Sequence, residues 1–183
     1  WTAALFLFLV IQIFACTDVS QNPPQQEDNW TQYRADAGRR GYTSNMLPAD
    51  LSLRWKYEQK SPSPAWKGIH TRMTFDYAYE PVISKNILYF GSSTDNKVYA
   101  LDVETGSEVW SFFTNSPVRF APALWKDRIF FVSDDGNLYC LSSDKGELLW
   151  KKRGGPDNKM VLGNDRMVSR WPARGGVLIK DNI

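Results

Sequence analysis

The sequence predicts an all-β protein built from repeated four-stranded antiparallel sheets, the blades of a β-propeller. Three observations predict it. First, residues 87–150 carry nearly the same text twice: Tyr99 and Tyr139, Leu101 and Leu141, Gly106 and Gly146, and Trp110 and Trp150 recur 40 positions apart. Upstream, Pro81 and Pro122, Asn86 and Asp127, and Phe90 and Phe131 recur 41 apart, so one residue was gained or lost in the intervening hairpin. Second, each copy divides into four short apolar runs punctuated by Gly, Asp, Asn and Ser, the residues that turn chemistry requires. Third, a strand-rich repeat of about 40 residues has the period of a propeller blade.

The four strands of the first unit are expected at about 78–84, 87–93, 97–102 and 107–113, and those of the second at about 119–125, 128–133, 137–142 and 147–152. Asp135-Gly136 marks a hairpin, since Gly tolerates the positive φ of a tight turn. A third unit starts near residue 176, where the text echoes 122–129. Residues 51–57 alternate, with Leu51, Leu53, Trp55 and Tyr57 on one face, the pattern of a half-buried strand. Trp55 stands where Trp110 and Trp150 stand. We therefore read 51–57 as a blade's fourth strand, donated from the N-terminal side to complete the last blade of a closed ring. The chain thus reads as an incomplete propeller: about two blades, a donated strand and a third-blade stub. With no initiating Met and a strand beginning where Ile183 ends the text, it reads as a fragment. Its open edges predict low stability or aggregation in isolation.

Residues 3–15 are apolar except for Gln12. That run is shorter than the ~20 residues a membrane-spanning helix needs and matches the apolar core of a secretory signal peptide. Its end, Ile13-Phe14-Ala15-Cys16, resembles the bacterial lipobox, which implies lipidation of Cys16. Expected boundaries are a signal peptide at 1–16, a flexible tether rich in Gln, Asn and Pro at 17–29, and the partial propeller at 30–183. Thr17 replaces the Asp that retains enterobacterial lipoproteins in the inner membrane, so resemblance favours the periplasmic side of the outer membrane.

Composition narrows the function. Of 183 residues, 43% are hydrophobic and 14% aromatic, which suits a folded β-rich domain. A formal charge of +2 with no basic cluster gives nucleic acid no electrostatic footprint. One histidine and two cysteines argue against a histidine- or thiolate-built metal site, while an oxygen-ligand site for a hard cation stays open.

The segment Ala100-x-Asp102-x-x-Thr105-Gly106-x-x-x-Trp110 resembles the tryptophan-docking motif of quinoprotein-type (pyrroloquinoline-quinone-like) β-propeller repeats. The second copy keeps Gly146 and Trp150 but has Cys140, Ser142 and Lys145 in place of Ala, Asp and Thr. The resemblance implies a docking role: Gly permits a tight turn, Asp and Thr satisfy its backbone groups, and the indole wedges between blades. In the family's dehydrogenases the quinone sits near the ring axis with calcium, beneath adjacent cysteines. This chain has no adjacent cysteines, so no catalytic, cofactor or metal residue is assigned within it. Pyrroloquinoline quinone (PQQ) and calcium would need residues outside it.

Two readings follow. One is a non-catalytic cell-envelope propeller that presents a rigid binding face, similar in kind to the lipoprotein of the outer-membrane barrel-assembly machinery. The other is the N-terminal part of a quinone- and calcium-dependent dehydrogenase, or the propeller module of a larger enzyme. In an up-and-down blade, the joins between blades open on the same face as the second hairpin. Two joins are long, about 58–77 and 151–174, while 114–118 is short. Long loops carry function more often than short ones. The first long join holds Trp66, His70, Arg72 and Asp76; the second holds Asn164, Arg166, Arg170, Trp171 and Arg174. This face is the candidate site for a protein or a polar or acidic ligand. The competing reading is that these residues only pack the loops, pairing Arg with Asp.

Overall fold

The computed structural model of the chain describes residues 29–58, 79–163 and 166–181. The leader, Cys16 and nearly all of the tether lie outside the described residues, as do Trp66, His70, Arg72 and Asp76. All regular structure among the described residues is β. The first sheet runs β1 (Val82–Ser84), β2 (Ile87–Ser92), β3 (Lys97–Asp102) and β4 (Glu108–Phe113), and the second β5 (Ala123–Trp125), β6 (Arg128–Val132), β7 (Asn137–Ser142) and β8 (Leu148–Arg153). Each is an antiparallel meander in chain order, and the two sheets stack as consecutive propeller blades.

The sequence period reappears as geometry. Phe90 stacks on Tyr99 with centroids 5.2 Å apart, and Phe131 stacks on Tyr139 at 5.2 Å. The Tyr99 hydroxyl donates to Asp95 and the Tyr139 hydroxyl to Asp135. Both blades slip register at the same place, between Ala100 and Leu101 and between Cys140 and Leu141. The copies differ in one respect. Asp135 Oδ1 accepts the Asn137 amide at 3.0 Å, whereas Asp95 Oδ1 is buried with no hydrogen-bond partner among the described residues.

Several expected boundaries are corrected. β1 and β5 start at Val82 and Ala123 instead of about 78 and 119, because Pro81 and Pro122 have no N–H to give a ladder. The join at 151–174 is not merely a loop: it contains a hairpin, β9 (Met160–Gly163) with β10 (Arg166–Ser169). Described residues 176–181 form no ladder strand. Residues 51–58 also lack ladder pairing, and Leu51 and Leu53 are exposed. Only Trp55 and Tyr57 of the expected stripe pack inward. They nevertheless occupy the position of a preceding blade's fourth strand, as their contacts show.

Those contacts repeat from blade to blade. Trp55 lies against the Gly106 turn and its Nε1 donates to the Val103 carbonyl at 2.7 Å. Trp110 lies against the Gly146 turn and its Nε1 donates to the Ser143 carbonyl at 2.9 Å. Two residues on, Tyr57 meets the Phe90–Tyr99 pair, as Phe112 meets Phe131 and Tyr139. Each indole thus docks on the glycine turn of the next blade, not on its own. The turn is shaped for it: Gly106 and Gly146 have φ of 70° and 68°. Asp102 Oδ1 accepts from the Thr105 amide and hydroxyl at 2.8 and 2.9 Å. Those hydrogen bonds hold the Asp102 carboxyl below its ordinary range.

Before the blades, residues 30–32 lie along their inner edges. Trp30 forms a bridge with Ile83 in β1, and the Leu124 amide of β5 donates to the Thr31 carbonyl at 2.7 Å. The following segment is compact and irregular, with Arg40 paired to Asp36 and Arg39 over the Tyr33 ring.

Candidate functional site

Strand direction places the β2–β3 turn, the β6–β7 turn, the join 114–122 and the β9–β10 hairpin on one face. The site is built there from three layers. At the bottom, a net of short side chains closes the join. Thr114 Oγ1 and Ser133 Oγ both donate to the Ser116 carbonyl, at 2.6 and 2.9 Å, and Ser116 Oγ donates to the Met167 carbonyl at 2.7 Å. These hydroxyls satisfy backbone groups that burial would otherwise leave unpaired.

The second layer is ionic. Asp134 is 1% exposed, and its Oδ2 accepts from Arg119 Nε at 2.6 Å. Its Oδ1 lies 3.4 Å from Arg174 Nε. A carboxylate this deep requires such partners, since an unpaired buried charge costs several kcal/mol, roughly. The Asp134 backbone is held as well, its amide donating to Pro117 and its carbonyl accepting from Ser169.

The hairpin forms the top layer. Arg166 reaches from β10 to the first blade's β2–β3 turn, where Nη1 donates to the Ser93 carbonyl and to Asn96 Oδ1. Trp171 closes the other end, packed so tightly on Gly155 and Gly136 that a Cβ there would sit 2.5 and 2.7 Å from Trp171 atoms. Trp171 is still 46% exposed, with the Arg170 guanidinium 5.9 Å from its ring centroid. On the outer surface of the hairpin, Leu162 pairs across with Met167, and these side chains are 75% and 51% exposed.

Of the candidate residues on this join, Arg166 and Arg174 bind neighbouring backbone and carboxylate, whereas Arg170 and Trp171 stand at the surface. The four are brought to one face, but in two different roles. Arg119 and Asp134 were not legible as site residues. Ser133-Asp134-Asp135-Gly136 reads as a solvated turn, and only the hairpin laid over it makes Asp134 an interior group.

The profile of the family described as outer membrane protein assembly factor BamB matches residues 26–180. Among individual proteins, the chain is similar to a quinoprotein ethanol dehydrogenase of Pseudomonas aeruginosa, 25% identical over 40% of this chain and 13% of that protein. It is also similar to the dehydrogenase subunit of the quinone-dependent alcohol dehydrogenase of Gluconobacter oxydans, 30% identical over 54% of this chain and 15% of that protein. Among solved structures, the quinohemoprotein alcohol dehydrogenase of Comamonas testosteroni superposes with a TM-score of 0.53 at 21% identity, over 72% of this chain and 20% of that one. The chain therefore spans about a seventh of the length of the two sequence relatives and a fifth of the solved enzyme, and the structural likeness establishes the fold alone.

The described residues do not fit a quinone with its calcium. No group of three or more acidic, histidine or cysteine side chains converges among them. Asp134 is paired to arginines, Asp95 and Asp135 accept from tyrosines, and Cys140 is a single buried thiol whose pKa burial pushes up.

Proposed function

We propose a role for this chain from one premise: it belongs to the family described as outer membrane protein assembly factor BamB. It is a quinoprotein-type β-propeller module, and its work is to present a rigid face to another protein. Within that module we assign binding to the join face and no chemistry to the described residues. The observation that carries the reading is the division of labour on that face. Arg119, Asp134 and Arg166 brace the shelf from beneath and Arg174, itself exposed, pairs with Asp134 at its edge, while Arg170, Trp171, Leu162 and Met167 stand exposed on it. Arginine and tryptophan on a prebuilt surface are the residue types that dominate protein–protein binding energy. A guanidinium beside an exposed indole suits a partner with acidic or polar groups around an apolar contact.

In this proposal the module works in the cell envelope of a bacterium, exported by the 1–16 leader and held at the periplasmic side of the outer membrane through lipid on Cys16. We assign Trp66, His70, Arg72 and Asp76 of the other long join, which lie outside the described residues, to the same binding role.

The test is a photo-crosslinking residue at position 162 in cells, combined with the double substitution Arg170→Glu and Trp171→Ala. Crosslinks to a discrete envelope protein should fall at least about tenfold in the double variant, as for loss of a binding hot spot. The urea midpoint of the purified protein should barely move. Unchanged crosslinking, or a crosslink loss that only follows unfolding, rejects the binding face.

A second reading, the N-terminal part of a quinone-dependent enzyme, rests on the likeness to the dehydrogenase relatives. Adding pyrroloquinoline quinone and calcium to the full-length protein decides against it if neither the quinone absorbance nor alcohol oxidation changes.

A further inference from the structure

The inner strands β1 and β5 each have one edge paired within their own sheet and one edge facing the ring axis. Edge strands expose unpaired N–H and C=O groups and accept any extended peptide of matching register. Here the peptide is residues 30–32. The Trp30 amide donates to the Ile83 carbonyl at 2.9 Å, and the Ile83 amide returns to the Trp30 carbonyl at 2.8 Å. One residue on, the Thr31 carbonyl accepts from Leu124 of the next blade. The Gln32 side chain then pairs with Ile179 as a strand would. Oε1 accepts from the Ile179 amide at 3.1 Å, and Nε2 lies 3.3 Å from its carbonyl. Gln32 is 9% exposed, and Trp30 packs against the buried cluster between the blades.

We propose that the axial edges of β1, β5 and the 176–181 segment form one strand-binding site. Its ligand is an extended peptide, supplied by the chain's own residues 29–32. This clasp joins three successive repeat units by residues that belong to none of them. It also explains why 176–181 is positioned although it forms no ladder: its backbone is read by a glutamine side chain.

Direction adds a consequence. The Trp30–Ile83 pairing is antiparallel. Residues 29–31 therefore run from the β1–β2 turn end of the axis toward the join face. Asn29 and Trp30 thus enter the clasp from the side opposite Arg170 and Trp171.

Amide hydrogen exchange on the full chain tests the site. Gln32→Ala removes both hydrogen bonds to Ile179 and leaves the backbone of 30–31 in place. The Ile179 amide should exchange at least about tenfold faster, with Ile83 and Leu124 unchanged, as local opening demands. Trp30→Pro removes the donor to Ile83, and the exchange of Ile83 and Leu124 should accelerate together. Unaltered exchange at Ile179 in Gln32→Ala overturns the proposal, and that variant keeps the test decisive even where Trp30→Pro fails to fold. Protection at Ile83 that rises with protein concentration also overturns it, because the peptide would then come from a second copy.

Discussion

At the scale of single residues, the glycine turns carry the tightest constraint in the molecule. A Cβ at Gly146 would stand 2.6 Å from the Trp110 ring, at a φ of 68° that L-residues rarely adopt. Backbone strain contributes about 1–2 kcal/mol and overpacking about 1–3 kcal/mol. Gly146→Ala should therefore lower stability by about 2–5 kcal/mol. Gly175 has nothing within 4 Å of an added Cβ, so Gly175→Ala should leave the urea midpoint almost unchanged. Equal effects of the two substitutions would contradict the docking account. Asp102 constrains the first turn through its charge. Its folded pKa lies below the ordinary 3.8, because the Thr105 amide and hydroxyl donate to it. The resulting stabilisation is complete above the unfolded value and is lost as pH falls through the folded one. Acid titration of stability should thus be shallower below pH ~4 in Asp102→Asn than in the parent.

Elements show how a repeated text gives unequal structures. The strands of the two blades have nearly matching bounds, because their apolar alternation and turn residues are written locally. Asn96 with φ of 60° stands where Gly136 has 85°, so the two β2–β3-type turns share a backbone while differing in sequence. The joins diverge instead. One is a short segment stitched by Thr114 and Ser116, and the other extends into the β9–β10 hairpin that returns to the first blade through Arg166. Two strands alone are marginal in water, so this hairpin depends on such anchors. Ser116 Oγ on the Met167 carbonyl and the Ser169 amide on the Asp134 carbonyl are two more of them.

For the whole molecule, the decisive feature is the chain of indole contacts. Trp55 docks on the first blade and Trp110 on the second, whereas Trp150 is 39% exposed, with the Phe130 ring 5.9 Å away. Leu148 and Leu149 beside it are 44% and 48% exposed, and β8 is the outer edge of its sheet. An apolar surface next to an open strand edge promotes association. This 183-residue polypeptide should show weight-average mass rising with concentration in sedimentation velocity. Leu148→Asp with Trp150→Asp should suppress that rise. A monomer at all concentrations would show that the surface is inert.

The sequence by itself determined the blade architecture and the positions of its docking residues, because each turn, strand and indole sits within a motif of a few neighbours. It also placed Trp55 in the series, although the absence of a ladder at 51–58 shows that alternation alone does not make a strand without a partner edge. Of the candidate face, the sequence supplied Arg166, Arg170, Trp171 and Arg174 but not the division between braces and exposed groups. Only the tertiary structure decided that division, the burial of Asp134 and the axial seat of residues 30–32. These depend on pairs far apart in the chain: Arg166 on Ser93, Arg174 on Asp134, and Gln32 on Ile179 across 147 positions. No local pattern encodes such a pair, because each partner is an ordinary turn or loop residue until folding brings the other beside it and excludes water from both.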